Sequence, residues 1–164
     1  MEIRAYRPAH DASELWSLKR AFEESLGGSC GDEKERQYRE KLTDTYRDRY
    51  LTWAETCHAE APQCIQVAVT GEQRFVGYVF LLPASLGMIW DSGVINELFV
   101  RESHRGSGLA DEFMDIAIEL AQGQDLPMDR VVLDVGTNNE RARRYYDRYG
   151  FEPWGDLLVH RLPR

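Results

Sequence analysis

The chain reads as a single α+β domain, one sheet with helices on its faces, and three observations carry that reading. Apolar residues recur at helical spacing in some stretches and alternate in others, and the two kinds follow one another as βααββ and then βαβαβ. The 164 residues, 43% hydrophobic and 11% aromatic, suffice for one sizeable core and leave little room for a second. No internal repeat, low-complexity tract or Pro/Gly/Ser linker divides residues 1–164.

Each element follows from its own residues. Residues 2–6 form a short strand, Pro8 turns the chain, and Asp11 or Ser13 caps a helix carrying Leu15, Leu18, Phe22 and Leu26, which Gly27-Gly28 stops. Between Asp32 and Ala61 there is neither Gly nor Pro, and Tyr38, Leu42, Tyr46, Tyr50, Trp53 and Cys57 recur three or four residues apart, giving one long amphipathic helix or two with a bend. Pro62 ends it. Ile65, Val67 and Val69 alternate before a Gly71 turn into a strand at 74–82, a hairpin. A strand at 93–100 leads through a polar loop to a helix at 108–122, whose apolar positions include Leu109, Phe113, Ile116 and Leu120 and which Gly123 and Pro127 close. Residues 131–135 form a strand, 139–149 a helix stopped by Gly150, and 151–162 a last strand or strand pair.

Charge and cysteine usage bound the function. Twenty Lys and Arg stand against 28 Asp and Glu, a net charge of −8, which argues against a phosphate-binding coat for nucleic acid and could draw in a cationic substrate, although charge kept for solubility accounts for it equally well. No apolar run approaches the roughly 20 residues of a membrane span, and Met1-Glu2-Ile3-Arg4-Ala5-Tyr6-Arg7 lacks the apolar stretch of a secretory signal. Cys30, Cys57 and Cys64 include no C-x-x-C pair and fit reduced thiols. A soluble, cytoplasmic protein is expected.

The segment Arg105-Gly106-Ser107-Gly108-Leu109-Ala110 lies between a strand and a helix, where unpaired N–H groups and the helix dipole favour an anion. Its glycines allow positive φ and close backbone approach, and Arg105 adds a phosphate donor; alone, such a pair is as often a simple turn. A P-loop is excluded because no Gly-Lys pair occurs. A dinucleotide fingerprint starting at Gly106 would put Asp111 at its third glycine, where charge and bulk oppose the pyrophosphate. The hydrolase motif G-x-S-x-G is absent, and His10, His58, His104 and His160 are scattered, so no metal is expected.

Taken in order, Ile95-Asn96-Glu97-Leu98-Phe99-Val100, Arg105-x-x-Gly108-x-Ala110, Asn139-x-x-Ala142-x-x-Tyr145-Tyr146 and Tyr149-Gly150-Phe151 resemble the GNAT family of acyl-CoA-dependent N-acyltransferases over roughly residues 65–152. The resemblance implies a mixed, mostly antiparallel twisted sheet, acceptor-shaping helices in 1–62 and an acyl-CoA-binding core in 63–152. It implies acetyl-CoA as cosubstrate, main-chain contacts from Leu98, Phe99 and Val100, a pyrophosphate cradle at Arg105, Gly106, Ser107, Gly108, Leu109 and Ala110, and a polar contact from Asn139. Tyr146 would donate a proton to the departing thiolate, with a core aromatic as the other reading. Glu97 would take the amine's proton directly or through water, Asp134 is the competing base, and strand alternation leaves the face of each open. Asp111, Glu112 and Asp115 depart from expectation by placing acid behind the cradle, while Arg141, Arg143, Arg144 and Arg148 could meet the adenosine phosphate or simply line a solvated face.

The activity so implied is transfer of the acetyl group of acetyl-CoA to a primary amine of a small molecule or peptide. The rival is a non-catalytic acyl-CoA sensor or interaction module. Tyr38, Tyr46, Tyr50 and Trp53 could wall an amine site with Glu23, Glu24, Asp32, Glu33 or Glu35 at its mouth, although a helical aromatic stripe is more often core. Expected partners are the amine acceptor, no nucleic acid and no membrane, with a homodimer left open.

Overall fold

The computed structural model of the chain describes residues 1–27 and 32–163, in two units, Met1–Asp134 and Val135–Arg164. The first unit holds one sheet in the order β1-β2-β3-β4-β5: β1 (Glu2–Ala5), β2 (Ile65–Val69), β3 (Phe75–Leu81), β4 (Gly93–Val100) and β5 (Val131–Val132). The first four are antiparallel neighbours and β5 runs parallel to β4, so the sheet is mixed and mostly antiparallel.

Three helices separate β1 from β2. The first, α1 (Pro8–Gly27), starts before either expected cap. Proline fits a first helical turn, and buried Asp11 reaches back to accept the Arg7 N–H at 2.8 Å and the Arg4 guanidinium at 2.6 and 3.1 Å. Burial alone would raise the Asp11 carboxyl, yet these hydrogen bonds outweigh it and hold it below its ordinary value. Gly27 is the last residue of α1; Gly28 and Cys30 lie outside the described residues. The stretch from Asp32 is two helices, α2 (Asp32–Glu40) and α3 (Asp44–Glu60), because Thr43 adopts extended backbone and its hydroxyl caps α3 by accepting the Tyr46 N–H at 3.2 Å.

One sheet face packs on α1 and α3, burying Leu15, Leu18, Tyr50, Ala54, Val67, Tyr78, Phe80 and Phe99. On the other lies α5 (Leu109–Gln122), which follows a single short turn, α4 (Ala84–Gly87), and the polar loop, and buries Leu109, Phe113, Met114 and Ala117. The sequence reading contained no α4. Between the two faces, β4 carries a bulge. Phe80 pairs with Glu97 but Leu81 with Ile95, so Asn96 is an extra residue. Strict alternation would put Gly93 and Glu97 on one face. Instead Gly93 abuts Ala121 of α5, and Glu97 turns toward α1 and α3.

Two expected strands differ. The strand at 131–135 is only Val131–Val132: its ladder ends at Val94, and the next β4 residues enter the bulge. Residues 151–162 form no strand. Pro153 and Pro163 bracket the segment, Leu157-Leu158-Val159 is a run rather than an alternation, and a two-residue β5 offers little ladder to extend.

In the second unit, α6 (Glu140–Arg148) is capped by Asn139, whose Oδ1 accepts the Ala142 N–H at 3.2 Å. Gly150, at φ 79°, closes it: the N–H groups of Gly150 and Phe151 donate to the carbonyls of Asp147 and Tyr146.

Candidate active site

β4 ends at Val100 and the chain reaches α5 within nine residues, through one 3₁₀ turn at Glu102–His104. Along one edge β4 pairs with β3 up to Val100, whereas the opposite edge pairs with β5 only at Gly93 and Val94. Leu98, Phe99 and Val100 therefore lie on a strand with one edge unpaired among the described residues, the kind of edge that accepts a ligand's amide groups. Gly106 and Gly108 have φ of 76° and 88°, and a side chain built on either would meet nothing within 4 Å. Gly108 is the residue from which α5 starts, so open space and left-handed backbone coincide at a helix N-terminus. Ser107 Oγ donates to His104 O at 2.8 Å, Arg105 Nε to Val100 O at 3.2 Å, and Arg105 lies 3.7 Å from Glu102. Arg105 thus ties the cradle to the end of β4. Leu109 is buried and anchors it; Ala110 is half-buried.

Glu97 sits at the centre of a buried polar network. Its Oε1 accepts from Lys19 Nζ at 2.5 Å and Asn96 Nδ2 at 3.1 Å, and its Oε2 from the hydroxyls of Tyr50 and Tyr78 at 2.8 and 2.6 Å. Lys19 also meets Glu23 at 2.6 Å, and Glu23 meets Lys41 at 2.7 Å. Burial would lower the Lys19 ammonium, but Glu97 and then Glu23 outweigh it, leaving it well above its ordinary value. Burial first, and the Glu97 charge second, push the Tyr50 and Tyr78 hydroxyls well up, so both stay protonated as donors.

Lys19 and Tyr78 were missed by sequence reasoning. A signal for Lys19 exists: four residues after Leu15 and four before Glu23, it places an ion pair on the apolar face of α1. Asp134 is exposed and lies two residues past β5.

The second unit holds Asn139 and Tyr146. The Asn139 carboxamide oxygen is engaged by its cap, leaving the NH₂ group for a ligand. The Tyr146 ring packs edge-on to Phe151 and Tyr145 at 5.7 and 5.4 Å, and burial pushes its hydroxyl up to about 12 against the pull of Arg141. Arg143 donates to Gly136 O, Arg144 pairs with Glu140, and Arg148 stacks on Tyr145.

Residues 28–151 match the family model described as Acetyltransferase (GNAT) family. Among solved structures the chain is similar to a GNAT-family acetyltransferase from Staphylococcus aureus Mu50, with 17% identity over 99% of this chain and 94% of that one and a TM-score of 0.64. It is also similar to the PaiA N-acetyltransferase from Thermoplasma acidophilum in complex with coenzyme A, at 17% identity, 92% and 89% coverage and a TM-score of 0.68. A third is Naa20 from Chaetomium thermophilum in complex with a bisubstrate analogue, at 18% identity, 91% and 70% coverage and a TM-score of 0.59. No curated protein matches the chain in sequence. With the fold shared and the family model spanning most of its length, the chain belongs to the GNAT acetyltransferase family.

Proposed function

We propose that this chain transfers the acetyl group of acetyl-CoA to a primary amine of a small molecule or peptide. The observation that carries the reading is the continuity of β4: an unpaired strand edge runs directly into a glycine cradle at the start of α5, and the same strand carries a buried carboxylate. The cradle fits a pyrophosphate because its backbone is open where a side chain would stand. The coenzyme A complex of the similar PaiA structure supports the same cosubstrate.

In this reading residues 105–110 hold the pyrophosphate, Leu98–Val100 give main-chain contacts, and Asn139 adds its NH₂ group. The coenzyme supplies an activated acetyl group as a thioester. Glu97 receives the amine's proton. Four donors already face its carboxylate, so the proton arrives by exchange with the longest contact, that of exposed Asn96, directly or through one water. Asp134 is the competing acceptor. The role proposed for Tyr146, from the resemblance, is that of a neutral donor to the departing sulfur. A phenol at about 12 does not fully protonate a thiolate whose ordinary value is about 8.5, so the residue acts mainly through a hydrogen bond. Cys57 and Cys64, both buried and free, support a reducing cytoplasm, and no described helix is long and apolar enough to cross a membrane.

The saturated Glu97 is also what favours the second reading, an acyl-CoA-binding module without turnover. Release of free thiol from acetyl-CoA, measured with and without a panel of polyamines, aminoglycosides, amino acids and peptides, separates the two. Amine-dependent release supports transfer. Coenzyme binding with no release under any amine makes the chain a binding module.

A further inference from the structure

The aromatic and acidic wall of the helical half is occupied by the chain's own ammonium groups. Glu23 has a side chain only 3% exposed, on the sheet-facing side of α1. Lys41 sends its Nζ to Glu23 Oε2 at 2.7 Å, 4.7 Å from the Tyr38 ring centroid and 5.4 Å from that of Tyr46. One buried carboxylate and two electron-rich ring faces around an alkylammonium are the elements of a cation-recognition box. Lys41 lies in the connection between α2 and α3, and its side chain is 38% exposed. The box therefore opens to solvent on the side from which Lys41 enters.

We propose that Glu23, Tyr38 and Tyr46 bind the second ammonium of an aliphatic diamine or polyamine acceptor, and that Lys41 fills this box until such a substrate displaces it. The exchange is balanced in charge: one alkylammonium leaves Glu23 and another takes its place. A neutral or anionic ligand would leave Glu23 half-compensated in a buried setting, so the box selects cations. Lys19 bridges Glu23 to Glu97 at 2.6 and 2.5 Å, which puts the box a single ammonium away from the carboxylate assigned to the reacting amine. The net charge of −8 raises the local concentration of polycations. Placement of the reacting amine rests on the acetyl-transfer reading; the binding of the second ammonium does not.

The test is chemical replacement of the Lys41 ammonium, read first as binding without coenzyme. Lys41→Met keeps the aliphatic stem and removes the charge, and Lys41→Gln is the second variant should Met perturb folding. Putrescine should raise the melting temperature of either variant at a concentration about 10-fold lower than it needs in the parent, because the competing internal group is gone. Butanediol should raise neither, and Tyr38→Leu in the Lys41→Met background should weaken the effect. With acetyl-CoA present, the preference in kcat/KM for putrescine over butylamine should widen about 10-fold in Lys41→Met. Equal half-saturation of parent and variants by putrescine, or an equal response to butanediol, overturns the proposal. Tight putrescine binding without acetylation leaves the box standing and removes acetyl transfer; acetylation of amines with no gain on freeing the box does the reverse.

Discussion

Lys19→Met tests whether the buried network holds the two helices to the sheet. Lys19 is 5% exposed and contacts Glu23 and Glu97 at 2.6 and 2.5 Å. Methionine preserves most of the stem, so the cavity is small and the loss is electrostatic. Removing one partner of a buried pair costs about 3–5 kcal/mol. The low end applies here, because Tyr50, Tyr78 and Asn96 still donate to Glu97 and Lys41 still faces Glu23. A loss of about 3 kcal/mol corresponds to a fall of roughly 6–12 °C in melting temperature for a chain of this size. The pH dependence carries the sharper sign. In the parent, the folded Lys19 value lies above the unfolded one, so its contribution is complete at neutral pH and is lost only as pH rises through the raised folded value. The variant lacks that alkaline dependence, so its gap to the parent narrows as pH rises above the ordinary lysine value of about 10.4. Urea unfolding at neutral and at alkaline pH measures both. A loss under about 1 kcal/mol at neutral pH, or a gap that does not narrow at alkaline pH, refutes the reasoning.

Gly108→Ala places a Cβ on a residue at φ 88°, at a cost of about 1–2 kcal/mol in strain, and Gly108→Glu adds a carboxylate to the cradle. Calorimetric unfolding should show Gly108→Glu folded but unmoved by acetyl-CoA; an unchanged ligand shift would take the loop out of the site. Tyr146→Phe should lower kcat about 10- to 10³-fold with KM for acetyl-CoA nearly constant, and full activity would make the ring a packing residue alone. Glu97→Gln should lower kcat by about 10²-fold near neutral pH, with the loss shrinking at higher pH as the amine deprotonates unaided, while Asp134→Asn stays within about twofold of the parent. The opposite order in steady-state rates would transfer the base role to Asp134.

Element types were legible in the sequence wherever periodicity was strong. Leu109, Phe113, Ile116 and Leu120 recur at helical spacing, the first two buried and the last two half-buried, and Ile65 to Val69 pair as read with the following strand. The backbone of the loop before α5 was legible because its glycines allow positive φ, which both Gly106 and Gly108 adopt. The direction of Glu97 was not: a one-residue bulge at Asn96 reverses alternation, and no residue type announces it. Nor was the position of the bend, which the helical spacing allows anywhere in the stretch and which falls at residues 41–43, where Thr43 competes for the backbone without any Gly or Pro. Lys19 escaped because an i,i+4 ion pair with Glu23 reads as a solvated helix edge, while its partner Glu97 is 78 residues away. The segment after Phe151 read as strand from its apolar content alone, which does not supply a neighbour to pair with.

The central claim is that acetyl leaves the coenzyme for an amine rather than for water. Mass spectrometry of a reaction containing the chain, acetyl-CoA and putrescine tests it most directly, with free coenzyme A thiol and N-acetylated amine quantified in the same samples. The account predicts equal amounts of the two, both reduced together by Glu97→Gln and Tyr146→Phe. Thiol release matched by acetate instead of acetylated amine, or no release while acetyl-CoA still raises the melting temperature, would contradict it.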